Sequence, residues 1–175
     1  RGCDVYSGLH YFLGDDEEFA GLAAEHGGEL WDVRKPPADL GVADGVADSV
    51  DATVVATVGT DCSVGKMTAT RELYEYARAE GMDAAFVATG QTGILIEGEG
   101  IPVDRVVSDF AAGAVERMVL EAGADHDYVF VEGQASIVHP AYSGVTASIV
   151  HGAMPDHLVL CHEAGRDSVH GYDQR

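Results

Sequence analysis

Gly59-Thr60-Asp61-Cys62-Ser63-Val64-Gly65-Lys66-Met67-Thr68 is the stretch of this chain whose residue types and spacing are suited to chemistry. Two glycines bracket a short polar loop, and a lysine follows the second. Ahead of it, Val54-Val55-Ala56-Thr57-Val58 is apolar and β-branched, as a strand buried on both faces would be. Behind it, Lys66 to Glu80 has helical spacing, with Ala69, Leu73 and Ala77 four apart and Gly81 as a stop. Strand, glycine-bounded loop, Gly-Lys and helix is the layout of a phosphate-binding P-loop. Its chemistry is anion capture: loop and helix N–H groups converge on one point, the helix dipole favours negative charge there, and the lysine adds a cation. Two departures from the usual motif stand out. Five residues separate the glycines instead of four, and Met67 occupies the place of the magnesium-binding Ser or Thr, so the first hydroxyl comes only at Thr68.

Other candidates lie at strand ends. Glu132 directly follows the apolar run Tyr128-Val129-Phe130-Val131, where P-loop proteins put a metal- or water-directing carboxylate. A solvated or helix-capping glutamate is the plainer alternative. Thr89-Gly90-Gln91-Thr92-Gly93 is a glycine-rich polar turn after the strand at 83–88, and Gln91 and Thr92 could donate to a carboxylate or phosphate. His139-Pro140-Ala141-Tyr142 brings a titratable imidazole. Arg34 and Lys35 precede Pro36-Pro37, and reach into a neighbouring site or simply sit in solvent. Cys62, at a helix N-terminus beside Lys66, is in surroundings that lower a thiol pKa; it reads as an acyl-accepting nucleophile or as a small residue filling a tight loop. Zinc fails the spacing test. His162-Glu163-Ala164-Gly165-Arg166 has arginine where a zincin helix needs histidine, and the remaining histidines show no ligand spacing, so no metal is expected.

These residues need an α/β scaffold. Strands are expected near 53–58, 84–88, 128–132 and 157–161, in a parallel sheet within a three-layer domain. Ser108 or Asp109 should cap a helix that buries Phe110, Ala114, Val115, Met118, Val119 and Ala122. Ser143 to His151 reads as a short helix, and Ile94-Leu95-Ile96 with 98–102 as irregular. Before the loop, Val5 to Leu13 reads as a strand or strand-turn. Asp15-Asp16-Glu17-Glu18 opens a helix carrying Phe19, Leu22 and Ala23, and Glu29 to Val33 is a short strand. Residues 1–50 thus read as the tail of a preceding α/β domain plus a linker, and 51–175 as the P-loop domain, cut short at its C-terminus. Both ends look like cuts in a longer protein.

Composition bounds the function. With 175 residues, 46% hydrophobic, the chain can bury one core. Its 30 acids against 10 bases give −20, a surface that repels nucleic acid and anionic membranes, so neither is expected as a partner. The acids are dispersed, as in a coat adapted to a salty cytoplasm. No apolar run approaches the ~20 residues of a membrane span, and no signal peptide opens the chain. Three scattered cysteines argue for a reducing cytoplasm. Only two lysines occur, and one is Lys66.

The motif at 59–66 with Val131-Glu132-Gly133 resembles dethiobiotin synthetase-like P-loop proteins. A longer set resembles one family: 32–37 (Asp-Val-Arg-Lys-Pro-Pro), 59–68, 86–96, 101–104, Glu132-Gly133-Gln134, His139-Pro140-Ala141-Tyr142 and Leu160-Cys161-His162-Glu163. That family is the D-glutamate N-acetyltransferase-like one. The resemblance implies a Rossmann-like N-terminal domain, of which this chain carries a remnant, followed by a P-loop domain. It also implies acetyl transfer from acetyl-CoA to the amino group of a D-amino acid, with D-glutamate foremost. The P-loop residues 59–68 would then hold coenzyme A phosphates. Glu132 and His139 are the base candidates; Gln91, Thr92 and Gln134 are candidate donors to the developing oxyanion; Arg34, Lys35 and Arg166 could grip a substrate carboxylate. Two other classes stay open: an ATP/Mg²⁺-dependent kinase or ligase using Lys66, Thr68 and Glu132, and a non-catalytic nucleotide-binding regulator. A homo-oligomer is compatible with all three.

Overall fold

The computed structural model describes residues 2–173. A four-stranded sheet organises it, built from β3 (Thr53–Gly59), β4 (Ala84–Val87), β5 (Tyr128–Val131) and β6 (His157–Cys161) in the order β4-β5-β3-β6, every pairing parallel. Parallel neighbours require helical crossovers, and these cover both faces. On one side lies α2 (Lys66–Ala79), and on the other α4 (Ser108–Asp125) packs along α5 (Ser143–Ala153). The pleat sorts the side chains. Val54 and Ala56, with Val129 and Val131, join Val115, Val119, Ile149 and Ala153 in the larger core, while Val55, Phe86 and Phe130 face Tyr74 and Ala77 of α2. The domain is therefore α/β with three layers.

Ahead of it, β1 (Val5–Ser7) and β2 (Leu30–Asp32) pair in parallel, joined through α1 (Glu17–His26). Asp16 caps α1 by accepting from Glu18 N and Phe19 N, and Gly27 closes it at φ 69°. Phe19 and Leu22 stay 43% and 46% exposed, so this helix buries no complete face.

Several local expectations are corrected. The buried stripe of α2 is Thr70, Tyr74 and Ala77, with Leu73 37% exposed and Ala69 only half-buried. The helix turns so that the Thr70 hydroxyl meets Thr57 and the Tyr74 ring meets Phe86 and Phe130, contacts that a count of aliphatic residues overlooks. Ile94, Leu95 and Ile96 are helical, inside the seven-residue α3 (Gln91–Glu97), whose one apolar side chain in the core is Ile94 and whose Glu97 pairs with Arg71 of α2. Neither Ser108 nor Asp109 caps α4; Val107 holds that place without a side-chain bond, Ala111 and Glu116 join the buried face, and Phe110 is half-buried. The stretch 38–51 is not a free connector. Ala47 sits in the core, and buried Glu116 accepts from Asp44 N (2.6 Å) and Val46 N (2.8 Å). From Val5 to Leu13 the strand-turn alternative holds: β1 stops at Ser7 and the chain bends over 9–11.

Candidate functional site

The carboxyl ends of the strands converge on one rim, and the loop after β3 is its centre. Gly59 ends the strand because the Lys66 side chain passes directly over it: a Cβ there would lie 2.9 Å from Lys66 Nζ. Lys66 is 5% exposed and turns inward, its ammonium donating to the Asp61 carbonyl (2.7 Å). Burial pushes its pKa down, against the pull of neighbouring anionic groups. Below the loop, the Thr57 and Thr70 hydroxyls bond at 2.8 Å, Thr70 donates to the Lys66 carbonyl, and Gly133 N donates to Thr57. The P-loop floor is thereby tied to the end of β5. Met67 is half-buried and Thr68 exposed, so no hydroxyl stands at the first helical position after the lysine.

Asp61 is the unusual member of this loop. It is 2% exposed, yet its carboxylate accepts from Cys62 N (2.7 Å), Arg166 Nη1 (2.8 Å) and His170 N (2.7 Å). Burial alone would raise its pKa; these bonds and the guanidinium outweigh that and hold it below the usual carboxylate range. Arg166 also donates to the Cys62 carbonyl (2.8 Å), and its other terminal nitrogen pairs with Glu163. Thr60 bonds the His162 ring (3.0 Å). Residues 162–172 therefore lie as a strap across the P-loop.

His139 belongs to the same cluster. It is 1% exposed, donates from Nε2 to the His170 carbonyl (3.1 Å) and accepts at Nδ1 from Ala141 N (3.2 Å). Its ring stacks on Tyr142 and meets the edge of Tyr172. With both nitrogens engaged, this imidazole supports the strap and holds no free lone pair for a substrate proton. Folding also brings Asp61, Cys62 and His139 together, their potential ligand atoms within 4.8 Å of one another. The Asp61 carboxylate and both His139 ring nitrogens are committed to the bonds just described. Cys62 corrects an expectation: its thiol pKa is raised, because desolvation exceeds the help from Lys66.

A second cluster surrounds Glu132, one strand over. Its carboxylate is 5% exposed and accepts from Thr89 N and Gly90 N, both at 3.0 Å. Burial lifts its pKa to about 7 in spite of those bonds, with Asp104 adding a smaller push. Gly93 permits this approach, since a Cβ there would strike Glu132 Oε2. Gln134 Nε2 is spent on the Thr89 carbonyl (2.5 Å). Gln91 Oε1 is buried without a partner and lies against Gly8, just past β1, whereas Thr92 is exposed. Arg34 is buried and pairs with Asp104, leaving its Nε unpartnered. Lys35 points elsewhere, to Asp15 and over the Phe12 ring. The structure thus gathers the loop residues, Arg166 and His139 in one cluster, and Glu132, Gln91, Gln134 and Arg34 in another, with Lys35 in neither. Asp104 and His170 went unnoticed as site residues because their partners lie 70 and 109 positions away; Glu163 went unnoticed although its i,i+3 spacing to Arg166 was a signal that could have found it.

A parallel three-layer sheet with a Gly-Lys loop opening α2 defines a P-loop α/β protein. The chain belongs to the DUF1611 family: residues 41–175 match the "Domain of unknown function (DUF1611_C) P-loop domain" and residues 1–36 the matching "Rossmann-like domain". It is 45% identical over 171 residues to a D-glutamate N-acetyltransferase from Tritonibacter scottomollicae, covering 98% of this chain and 50% of that protein. A D-glutamate N-acetyltransferase from a Pseudoalteromonas species is 39% identical over 98% of this chain and 51% of its own length. A crystal structure of a DUF1611 family protein from Anabaena variabilis superposes with a TM-score of 0.89 at 44% identity, covering 94% of this chain and 48% of that one. The chain spans about half the length of the curated relatives it matches.

Proposed function

We propose that this chain forms the phosphate-binding half of an N-acetyltransferase that moves an acetyl group from acetyl-CoA to the amino group of a D-amino acid, D-glutamate foremost. The observation that carries the reading is the pair of relatives bearing that activity in their names, at 45% and 39% identity over nearly the whole chain. The residues fit the donor. Loop amides, the α2 N-terminus and buried Lys66 suit the pyrophosphate of coenzyme A, and Met67 removes a hydroxyl that a magnesium-bound γ-phosphate would use.

Acetyl-CoA supplies an activated thioester carbonyl. Glu132, with a pKa about 7, is matched to taking a proton from a substrate ammonium near neutral pH. Its two backbone donors keep the carboxylate aimed while it does so. In the transfer the amine would form the new carbon–nitrogen bond as the carbon–sulfur bond breaks, and its second proton would pass to the departing sulfur, which would leave as the coenzyme A thiol. Arg34, whose buried Nε donor is unpartnered, suits a substrate carboxylate, whereas Gln91, whose unpartnered buried Oε1 is an acceptor, suits a substrate N–H. The reading implies a small-molecule substrate, no nucleic-acid or membrane partner, and a cytoplasmic site of action where acetyl-CoA is made and used. Among the described residues no helix is long and apolar enough to cross a membrane.

Mass spectrometry of the full-length protein with acetyl-CoA and a panel of D- and L-amino acids tests the reading. N-acetylated D-glutamate formed without ATP is the expected result. A phosphorylated or ATP-dependent product would move the assignment to a kinase or ligase, and binding without any product to a nucleotide-binding regulator.

A further inference from the structure

Among the described residues two cations meet at the P-loop, in a chain with only 10 Lys and Arg against 30 acids. Lys66 is the motif lysine. The other is Arg166, a hundred residues further on, fixed against the loop by Asp61 and by the Cys62 carbonyl. We propose that Arg166 is the second cation of the phosphate site, taking the charge-neutralising role that a magnesium ion has in ordinary P-loop proteins, and that Glu163 holds its place until a phosphate arrives.

Three features support this beyond the loop itself. First, the side chains that would hold magnesium are absent or occupied: Met67 has no hydroxyl, Thr68 is exposed about 100° round the helix, and Asp61 and Glu132 spend their carboxylates on protein donors. A diphosphate still needs more than one positive charge, and a second cation is the protein's remaining means. Second, the guanidinium is anchored by one edge only. Its Nη1 is fastened to Asp61, which is 2% exposed, and to a loop carbonyl, whereas Nη2 pairs with Glu163, which is 53% exposed on its side chain. A planar guanidinium offers two parallel donors to a phosphate as readily as to a carboxylate. A phosphate oxygen can therefore displace the solvated Glu163 without disturbing the anchored edge. Third, buried Asp61 has a reason to sit in an anion-binding loop. It uses one loop amide and places a negative charge beside the ligand, a cost that is offset if its task is to orient Arg166 and the strap that carries it. His170 N on the same oxygen and His139 under the strap complete that support. Asp61 is then a positioning residue, and Arg166 the one that touches phosphate.

The inference rests on the P-loop as a phosphate site but not on acetyl transfer. Isothermal titration of the full-length protein with coenzyme A and with ADP, each in EDTA and in excess Mg²⁺, tests it. Wild-type affinity should be the same with and without the metal. Arg166→Ala should weaken both ligands about tenfold or more, and Arg166→Lys, which keeps the charge but loses the fork, should fall between. Glu163→Gln should move the opposite way, tightening binding several-fold, while Asp167→Asn, the same charge change on an exposed neighbour, should leave it within about twofold. Unchanged melting temperatures of the Arg166→Lys and Glu163→Gln proteins separate these effects from misfolding. Binding that ignores Arg166, weaker binding by Glu163→Gln, or a tenfold loss in EDTA overturns the two-cation site. Failure of wild-type protein to bind either ligand removes the phosphate site on which it stands.

Discussion

Glu132→Gln should make the protein more stable at alkaline pH and nearly unchanged in mild acid. The carboxyl of Glu132 is 5% exposed, and burial lifts its pKa from 4.5 to about 7. That gap of ~2.5 units corresponds to about 3 kcal/mol between the two protonation states. The sign follows from which state holds the proton. Between pH ~4.5 and ~7 the unfolded chain has released it while the folded chain keeps it, so stability is fully present below the unfolded value and is lost as pH rises through about 7. Above that, the wild type carries a buried charge that the glutamine lacks, and the amide oxygen can accept the same Thr89 and Gly90 donors. For a chain of this length about 3 kcal/mol corresponds to roughly 6–12 °C in Tm. Thermal unfolding of both proteins at pH 5 and pH 8, in matched high salt, reads the gap directly, and comparing the two cancels the titration of the other acids. A gap that does not widen toward pH 8, or a variant that melts below wild type there, would refute the assignment of a desolvated, proton-holding carboxyl. In the acetyl-transfer assay the same group should give a rising limb in kcat/KM near pH 7, and the variant should lose it through kcat.

Other outcomes follow from the same geometry. Glu116 is a carboxylate held below its usual range, because backbone bonds from the 44–47 segment outweigh its burial. Its contribution is present above the ordinary glutamate range and is lost as pH falls through the depressed folded value, so Glu116→Ala should cost about 3 kcal/mol by denaturant unfolding at pH 7 and much less in strong acid. Lys66→Ala should raise the KM for acetyl-CoA about tenfold while changing kcat less, if the ammonium grips a phosphate equally before and during transfer; steady-state kinetics with both substrates varied decides it. With −20 on 175 residues, Tm should climb between dilute buffer and about 2 M KCl, and equal melting temperatures would assign the acidic coat another role.

The sequence by itself determined the parts whose causes are local. β3, β5 and β6 are short apolar runs, and the Gly-Lys loop lies between β3 and a helix that begins after a glycine, so the phosphate loop could be read within a window of some fifteen residues and the parallel α/β sheet from the recurrence of such strands. The rest depended on which surfaces meet. Helix spacing alone chose Leu73 for the buried stripe of α2, but the aromatic rings of β4 and β5 and the hydroxyl of Thr57 turned the helix toward Thr70 and Tyr74. Likewise α3 exists because Ile94 reaches Val33 and Ala88 across the seam, and seven residues carry too little periodicity to announce it. Charge states were decided in the same way. Cys62 has the neighbours of an acidic thiol but too little water to ionise; Glu132 has the bonds of an ordinary carboxylate but is desolvated enough to keep its proton. The partners of the site are separated by 43 residues for Glu132 and Thr89 and by 105 for Asp61 and Arg166, and only a folded sheet brings such pairs within a hydrogen bond. The principal strands, the helix after Lys66 and the loop are set by contacts between near neighbours, whereas α3, burial, protonation and the placing of Arg166 are set by what the chain packs against, which is a property of the tertiary structure.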